Sequence, residues 1–368
     1  MNSGKNIRII TTIFMVAALV FLSQALPAQE KSERLYPVKV KGKWGYINRQ
    51  GKIVIEPKFF FVGDFSDGMA DFFNVVAPRM GDLREGYINE KGNIVINEQF
   101  FLAFPFSEGM ASVFINNKWG IIDKTGKTVI PLEFDSAGPF SEGLAGVCLD
   151  KKCGFIDKSG KYVLEPEFDS AGNFSEGMAI VSSGGKYFAI NNTGNKLFDC
   201  PGRGYHFSEG LAAVHVGALF GFIDNTGQLV IKPQFRSAKD FKDGMACVRL
   251  ERDWGFIDRT GKMVIKPQFK ECRNFSEGRA AVKNDKQWLF INKQGDTAFN
   301  RYFDKAYDFH DGIARVEVFE NIHLSGVKML ASEVGSWFGF KIFEGENIIF
   351  PLVGYVDKNG YYVWEPRH

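Results

Sequence analysis

Short apolar runs alternate with polar turns along almost the whole chain. In Leu144-Ala145-Gly146-Val147-Cys148-Leu149, Cys153-Gly154-Phe155-Ile156-Asp157 and Lys161-Tyr162-Val163-Leu164, β-branched and aromatic residues lie between Gly, Asp, Asn and Pro. Runs of this length, with this punctuation and no 3.6-residue period, predict three short strands, A, B and C. Tight polar turns such as Asn116-Asn117, Asp150-Lys151 and Gly42 suit a hairpin between A and B. Between B and C stand Asp123 to Gly126, Asp157 to Gly160, Asp224 to Gly227, Asp258 to Gly261 and Asp357 to Gly360. An Asp side chain bonds to backbone two residues on, and Gly at the fourth position accepts positive φ, so this is a type I turn with a bulge. Each unit is therefore an antiparallel meander.

The unit repeats. The turn glycine recurs at Gly51, Gly92, Gly126, Gly160, Gly194, Gly227, Gly261, Gly295 and Gly360, and a second glycine at Gly68, Gly109, Gly143, Gly177, Gly210, Gly244, Gly278 and Gly312. The common interval in both series is 34 residues, giving nine copies of the first segment and eight of the second. A fixed period of this length marks stacked supersecondary units, and the strand-like pattern excludes helical repeats of the same length. Linking the units are Pro (Pro57, Pro131, Pro166, Pro233, Pro267), a Phe, a small residue and then Phe-Ser-Glu-Gly. Proline is expected to end strand C. The Ser is expected to cap a single helical turn that the Gly terminates, with both Phe pointing inward to join neighbours.

Two units depart from the period, both between A and B. One has seven extra residues within Asn74 to Arg84 and the last has 31 within Asn321 to Val353. Repeat arrays place insertions on the face not packed against neighbours, so these segments, about 74–84 and 321–352, mark the expected function-bearing surface. Within the longer one, Trp337, Phe338 and Phe340 are the expected binding residues, as an apolar group outside the repeat. The fold expected is all-β: nine three-stranded meanders in an open, superhelical array, with a closed β-propeller as the alternative. Nine short blades are many for a ring, and the chain starts at A and ends at C, so no strand is lent across a closure.

Lys43-Trp44-Gly45-Tyr46-Ile47-Asn48, Lys118-Trp119-Gly120-Ile121-Ile122-Asp123 and Asp253-Trp254-Gly255-Phe256-Ile257-Asp258, each followed by the turn glycine, strand C and an equivalent of Phe-Ser-Glu-Gly, resemble the bacterial WG (KWG) repeat family. Some units drift: Cys153, Tyr187 and Phe220 stand for Trp, Leu289 for Gly, and Glu85 takes the Trp place in the second unit. The resemblance implies a β-rich repeat domain without catalytic residues, an interaction or envelope-associated module. From the residues themselves, the Trp is expected to pack over the neighbouring unit while the Gly admits a close backbone. A row of exposed Trp stacking on sugar rings is the alternative.

Composition adds an address. Basic Lys5 and Arg8, the uncharged apolar run Ile9 to Leu22, and small residues ending at Ala25 or Ala28 form the pattern of a secretory signal peptide, residues 1–28, ahead of a repeat domain at 29–368. Export to the periplasm or outside the cell is expected, with no stable membrane insertion after cleavage. Without those residues, 45 basic and 43 acidic side chains become 43 and 43, a balance that gives no electrostatic footprint for nucleic acid.

The chemical signals are weak. An acid precedes the second glycine in all eight connectors (Asp67, Glu108, Glu142, Glu176, Glu209, Asp243, Glu277, Asp311), a regularity that fits turn chemistry better than catalysis. The five histidines, His206, His215, His310, His323 and His368, fit no metal-ligand spacing. No nucleophile-elbow, phosphate-loop or zinc-protease motif occurs. The expectation is a non-enzymatic module with no cofactor or metal, whose partner is another protein or an envelope component; an envelope-glycan binder is the alternative and a hydrolase a remote one. If Asp150-Lys151 is the turn, Cys148 faces Cys153 across the hairpin, close enough for a disulfide. Cys200, Cys247 and Cys272 occupy Pro, small and Ala positions and read as core substitutes.

Overall fold

The computed structural model describes residues 33–74, 83–323, 342–344 and 347–367. Its strands form nine small antiparallel sheets in chain order, each a blade. In blade 4, strand A is Leu144–Leu149, B is Lys152–Asp157 and C is Tyr162–Phe168. A fourth, leading strand of two residues, Ser136–Ala137, pairs with A ahead of the meander. The connector supplies it, so six of the nine blades have four strands in the order leader, A, B, C. Sequence reasoning missed the leader because a two-residue strand has no periodicity.

The array closes. Nine hydrophobic clusters occur, and each spans two adjacent blades. Eight would serve an open row of nine; the ninth joins Tyr36, Val38 and Ile47 of blade 1 to Ile313, Val353, Tyr355 and Trp364 of blade 9. Tyr36 and Tyr355 meet edge-on at 5.5 Å, and the Tyr355 hydroxyl donates to the Pro37 carbonyl at 2.9 Å. The favoured open array is thus corrected to its alternative, a nine-bladed β-propeller ring. Lending a strand proves unnecessary because the closing interface is made as the other eight are, by apolar side chains packed blade on blade.

The joint is aromatic. The B-strand ring of one blade meets the connector Phe of the next at 4.6–5.0 Å in six pairs, among them Tyr87 with Phe106, Phe155 with Phe174 and Phe256 with Phe275. Offset and edge-on pairs of this kind add to the burial of their area. The connector contains no helical turn, which corrects that expectation. Asp67 and Gly68 have φ of 52° and 77°, and Ser66 and Met69 exchange backbone hydrogen bonds at 2.9 and 3.1 Å. This is a two-residue type I′ hairpin, which needs positive φ at both central residues. The Ser hydroxyl instead reaches the next repeat, as from Ser107 to the Phe140 carbonyl and from Ser141 to that of Phe174, both at 2.7 Å.

The glycine of the Trp-Gly pair has the expected role. A Cβ on Gly45 would collide with the Ile55 carbonyl oxygen of its own strand C, because the B–C register is bulged there. Proline, however, lies inside strand C, as Pro57 does in Ile53–Phe59. Strand C is the outer edge of the blade, where a missing N–H costs no ladder bond and discourages pairing with another chain.

Candidate functional site

The ring has two faces of different character. One carries the B–C turns and the Ser-Glu-Gly turns. There the recurring acid is used up in the joint: Glu108 accepts from Gly143 N–H, Glu142 from Gly177, Glu176 from Gly210, Glu209 from Gly244 and Glu277 from Gly312. Asp67 and Asp243 do the same for Gly109 and Gly278. Asp311 has no following connector and meets the Tyr36 hydroxyl of blade 1 at 3.3 Å. Lysines of the next blade reinforce the series, Lys124 on Asp67 at 2.8 Å and Lys358 on Glu277 at 2.9 Å. The acids therefore lock one repeat to the next, where the sequence had suggested only turn chemistry within a repeat.

The other face carries the A–B hairpins, and both insertions arise from it. The long one continues the blade 9 hairpin, Ile313–His323 pairing with Asn347–Asp357 in unbroken register. Trp337, Phe338 and Phe340 lie outside the described residues. The short one interrupts the blade 2 hairpin between Met69–Phe73 and Glu85–Asn89.

Beside this short insertion the repeat is broken in its side chains as well. The residue after strand C is Asp135, Asp169 or Asp304 in three of the later repeats, where it caps the A–B hairpin: Asp135 accepts from Asp150 N–H at 3.0 Å and pairs with Lys118 at 2.7 Å. Blades 2 and 3 have Phe60 and Phe101 instead, which lean on Phe73 and Phe114 at 5.8 and 6.1 Å. The next residue, Ser in three later blades, is Phe61 or Leu102, and Phe104 stands where blades 4 and 5 have Gly138 and Gly172. Among the described residues fourteen large apolar side chains are exposed; Val95 has exposed counterparts in Val54, Val163, Leu197, Val230 and Val264, whereas Phe101, Leu102 and Phe104 crowd the end of strand C in blade 2. Such concentration on one stretch distinguishes an interaction surface from scattered surface apolars. The insertion is anchored on it from both sides: Asn74 N–H donates to Glu98 Oε1 at 3.1 Å, and the Arg84 guanidinium lies 5.8 Å from the Phe101 ring. A groove of about 680 Å³ runs beside strand C of blade 2, lined by Lys43, Lys58, Phe59, Asn74, Gly92, Asn93 and Ile94.

Under the patch sit two carboxyls that the repeat does not have elsewhere. Glu85, at the Trp position, accepts from Ala103 N–H at 2.5 Å, and burial, aided by the nearby Asp71, pushes its carboxyl up to about 7. Burial likewise raises Asp71 to about 6, with Asp64 adding repulsion. Glu85 is visible in the sequence as a broken Trp-Gly pair; Asp71 gives no such signal.

Blades 7 to 9 give the same face a basic sector. Lys239 and Arg249 lie 5.7 and 5.6 Å from the Trp254 ring, Arg273 4.4 Å from Tyr307, and Arg315 5.3 Å from Trp44. Arg315 is tied to buried Glu317 at 2.7 Å. The repeat tryptophans are consequently half-buried and covered, Trp119 by Phe104 and Phe114 at 4.7 and 5.2 Å. Cys148 stands opposite Cys153 in the hairpin, with the sulfurs in bonding contact. Cys247 and Cys272 are also in bonding contact, across the interface of blades 7 and 8, which corrects their reading as separate core thiols; their 25-residue separation hid this. Cys200 is buried, its thiol pushed up to about 11 by burial.

Nine blades generated from one supersecondary unit, with joints repeated at each interface, define a repeat β-propeller. The family model described as WG containing repeat matches residues 44–73, 86–119, 119–153, 154–187, 220–251, 254–288 and 290–318, and the chain belongs to that family. No curated protein matches the sequence. Among solved structures, one titled as a eukaryotic initiation factor is similar at 12% identity, over 74% of this chain and 86% of that one, with a TM-score of 0.54. Apo AztD from Citrobacter koseri is similar at 11% identity, over 72% of this chain and 93% of that one, with a TM-score of 0.42. At these identities the likeness concerns the fold alone.

Proposed function

We propose that the protein is an exported, non-enzymatic scaffold of the bacterial cell envelope, which holds another protein on the hairpin face of its propeller. The observation that carries this reading is the exposed group Phe101, Leu102 and Phe104, at positions that later repeats fill mainly with polar or small residues. Repeat proteins bind through surfaces where the unit varies, because the invariant positions are committed to the joints. The insertion at 321–352, which contains Trp337, Phe338 and Phe340, arises from a hairpin of the same face and is assigned here as a second binding element. The glycan reading is less well supported, since it needs uncovered rings and Trp44, Trp119 and Trp254 are each covered by a cation or a ring.

Export rests on the leader pattern of residues 1–28. Sequencing the mature N-terminus tests it, with cleavage after Ala25 or Ala28 expected. Binding is tested by crosslinking in native envelope extracts, comparing the intact chain with a Phe101→Ser, Leu102→Ser, Phe104→Ser variant and with a deletion of 321–352. Loss of one defined partner from the triple variant is expected. An unchanged crosslinking pattern in both variants removes the reading.

A further inference from the structure

Six blades have a seven-residue outer strand C, and five of these contain proline: Pro57, Pro131, Pro166, Pro233 and Pro267. The exception is Ile94–Phe100 of blade 2, in which Glu98 occupies the place of Pro57, Pro166, Pro233 and Pro267. The pairing to strand B is the same with or without the proline: Tyr46 faces Ile55 and Trp44 faces Phe59 in blade 1, as Tyr87 faces Ile96 and Glu85 faces Phe100 in blade 2. The amide at this position is thus not needed by the blade's own ladder. Proline on an outer strand removes a donor and protects the edge; blade 2 keeps the donor, and of the two guards only the bulge opposite Gly86 remains. The five-residue outer strand of blade 5, Lys196–Cys200, also lacks proline but runs directly into Pro201.

Three further features meet at this edge. The groove between blades 1 and 2 runs beside it from Asn74 to Gly92, with Lys43 and Lys58 at its wall, the Lys58 ammonium also donating to the Gly92 carbonyl at 3.0 Å. Ile94 and Val95 are exposed along it, at 45% and 40%. The strand then continues into Phe101, Leu102 and Phe104. We infer that Ile94–Phe100 is a docking edge for an extended segment of the partner protein, which adds to blade 2 as an extra strand and lies in the groove. The segment recognised is apolar and extended and carries carboxylates that meet Lys43 and Lys58. Main-chain pairing supplies affinity, while the groove and the aromatic end supply selectivity.

The inference rests on the protein-binding reading above and refines it. The probe is a fluorescein-labelled peptide of alternating valine and threonine with glutamate at both ends, followed by anisotropy with the full chain. Saturable binding is expected, weakened at least tenfold by Glu98→Pro, a change the fold already carries at four equivalent positions, and by Val95→Lys. Glu98→Ala, which removes only the contact to Asn74, is expected to bind as the unaltered chain does, and a peptide N-methylated on alternate amides is expected not to bind. Retained binding in Glu98→Pro and Val95→Lys, or binding of the N-methylated peptide, overturns strand addition. If that occurs while the Phe101, Leu102, Phe104 variant loses the peptide, the apolar surface survives and only the pairing mode falls. Absence of peptide binding, or a sedimentation-detected dimer that Val95→Lys dissolves, overturns the proposed occupant.

Discussion

Asp71 offers the sharpest check on the packing beneath the patch. Its carboxyl is pressed against Gly63, where an added Cβ would strike Oδ1, and burial raises it from 3.8 to about 6. The folded state then holds a proton that the unfolded chain releases at lower pH. Stability from this group is complete below about pH 4 and is lost as pH rises through about 6, the reverse of a salt-bridged carboxylate. The difference between the two values corresponds to about 3 kcal/mol. Asp71→Asn keeps the shape and abolishes the titration. Denaturant unfolding of both proteins at pH 5 and pH 8 measures the effect. The variant is expected to be more stable than the parent at pH 8 by up to about 3 kcal/mol, and by about half as much at pH 5. Glu85, raised to about 7, leaves a residual slope of the same sign in the variant. Equal pH slopes in the two proteins, or a variant weaker at both pH values, would falsify the assignment of Asp71 as a buried, protonated acid.

The joints make further predictions. Glu142→Ala removes the acceptor for Gly177 N–H at 3.0 Å and should cost about 0.5–1 kcal/mol by denaturant unfolding, with like losses at Glu108 and Glu176. Gly45→Ala forces a methyl onto the Ile55 carbonyl and should cost more than about 2 kcal/mol, read as a fall in melting temperature. In protein isolated without reductant, peptide mapping should recover Cys148 linked to Cys153 and Cys247 linked to Cys272. Alkylation should then label Cys200 only after unfolding, as expected of a buried thiol raised to about 11. Labelling of the native protein, or absence of both linked peptides, contradicts that pairing.

Much of this protein is local in origin and was therefore legible from its residues. Asp157 to Gly160 forms a turn with two backbone donors on the Asp carboxylate whatever lies beyond it. Asn116 and Asn117 close a hairpin because both accept positive φ. Gly45 reports a close backbone, and the 34-residue interval reports a stacked unit. Other features depend on what stands next to the unit in space. The Ser-Glu-Gly segment looks like a helix cap when read alone, and becomes an interblade hairpin because its hydroxyl and carboxylate are claimed by the following repeat. Pro57 looks like a terminus until the strand is seen to be an edge.

Closure is the clearest case of a decision made by tertiary structure alone. Each repeat interface fixes only a small rotation, and whether nine such rotations sum to a full circle is a property of the whole chain. The sequence determined the unit, its count and the places where it breaks. The ring, the leading strands, the Cys247–Cys272 contact and the meeting of Ile94 with Lys43 and Lys58 at the groove between blades 1 and 2 were decided by packing between blades. Contacts across an interface carry no signature at any one position, because they join residues 25, 35 or 318 positions apart.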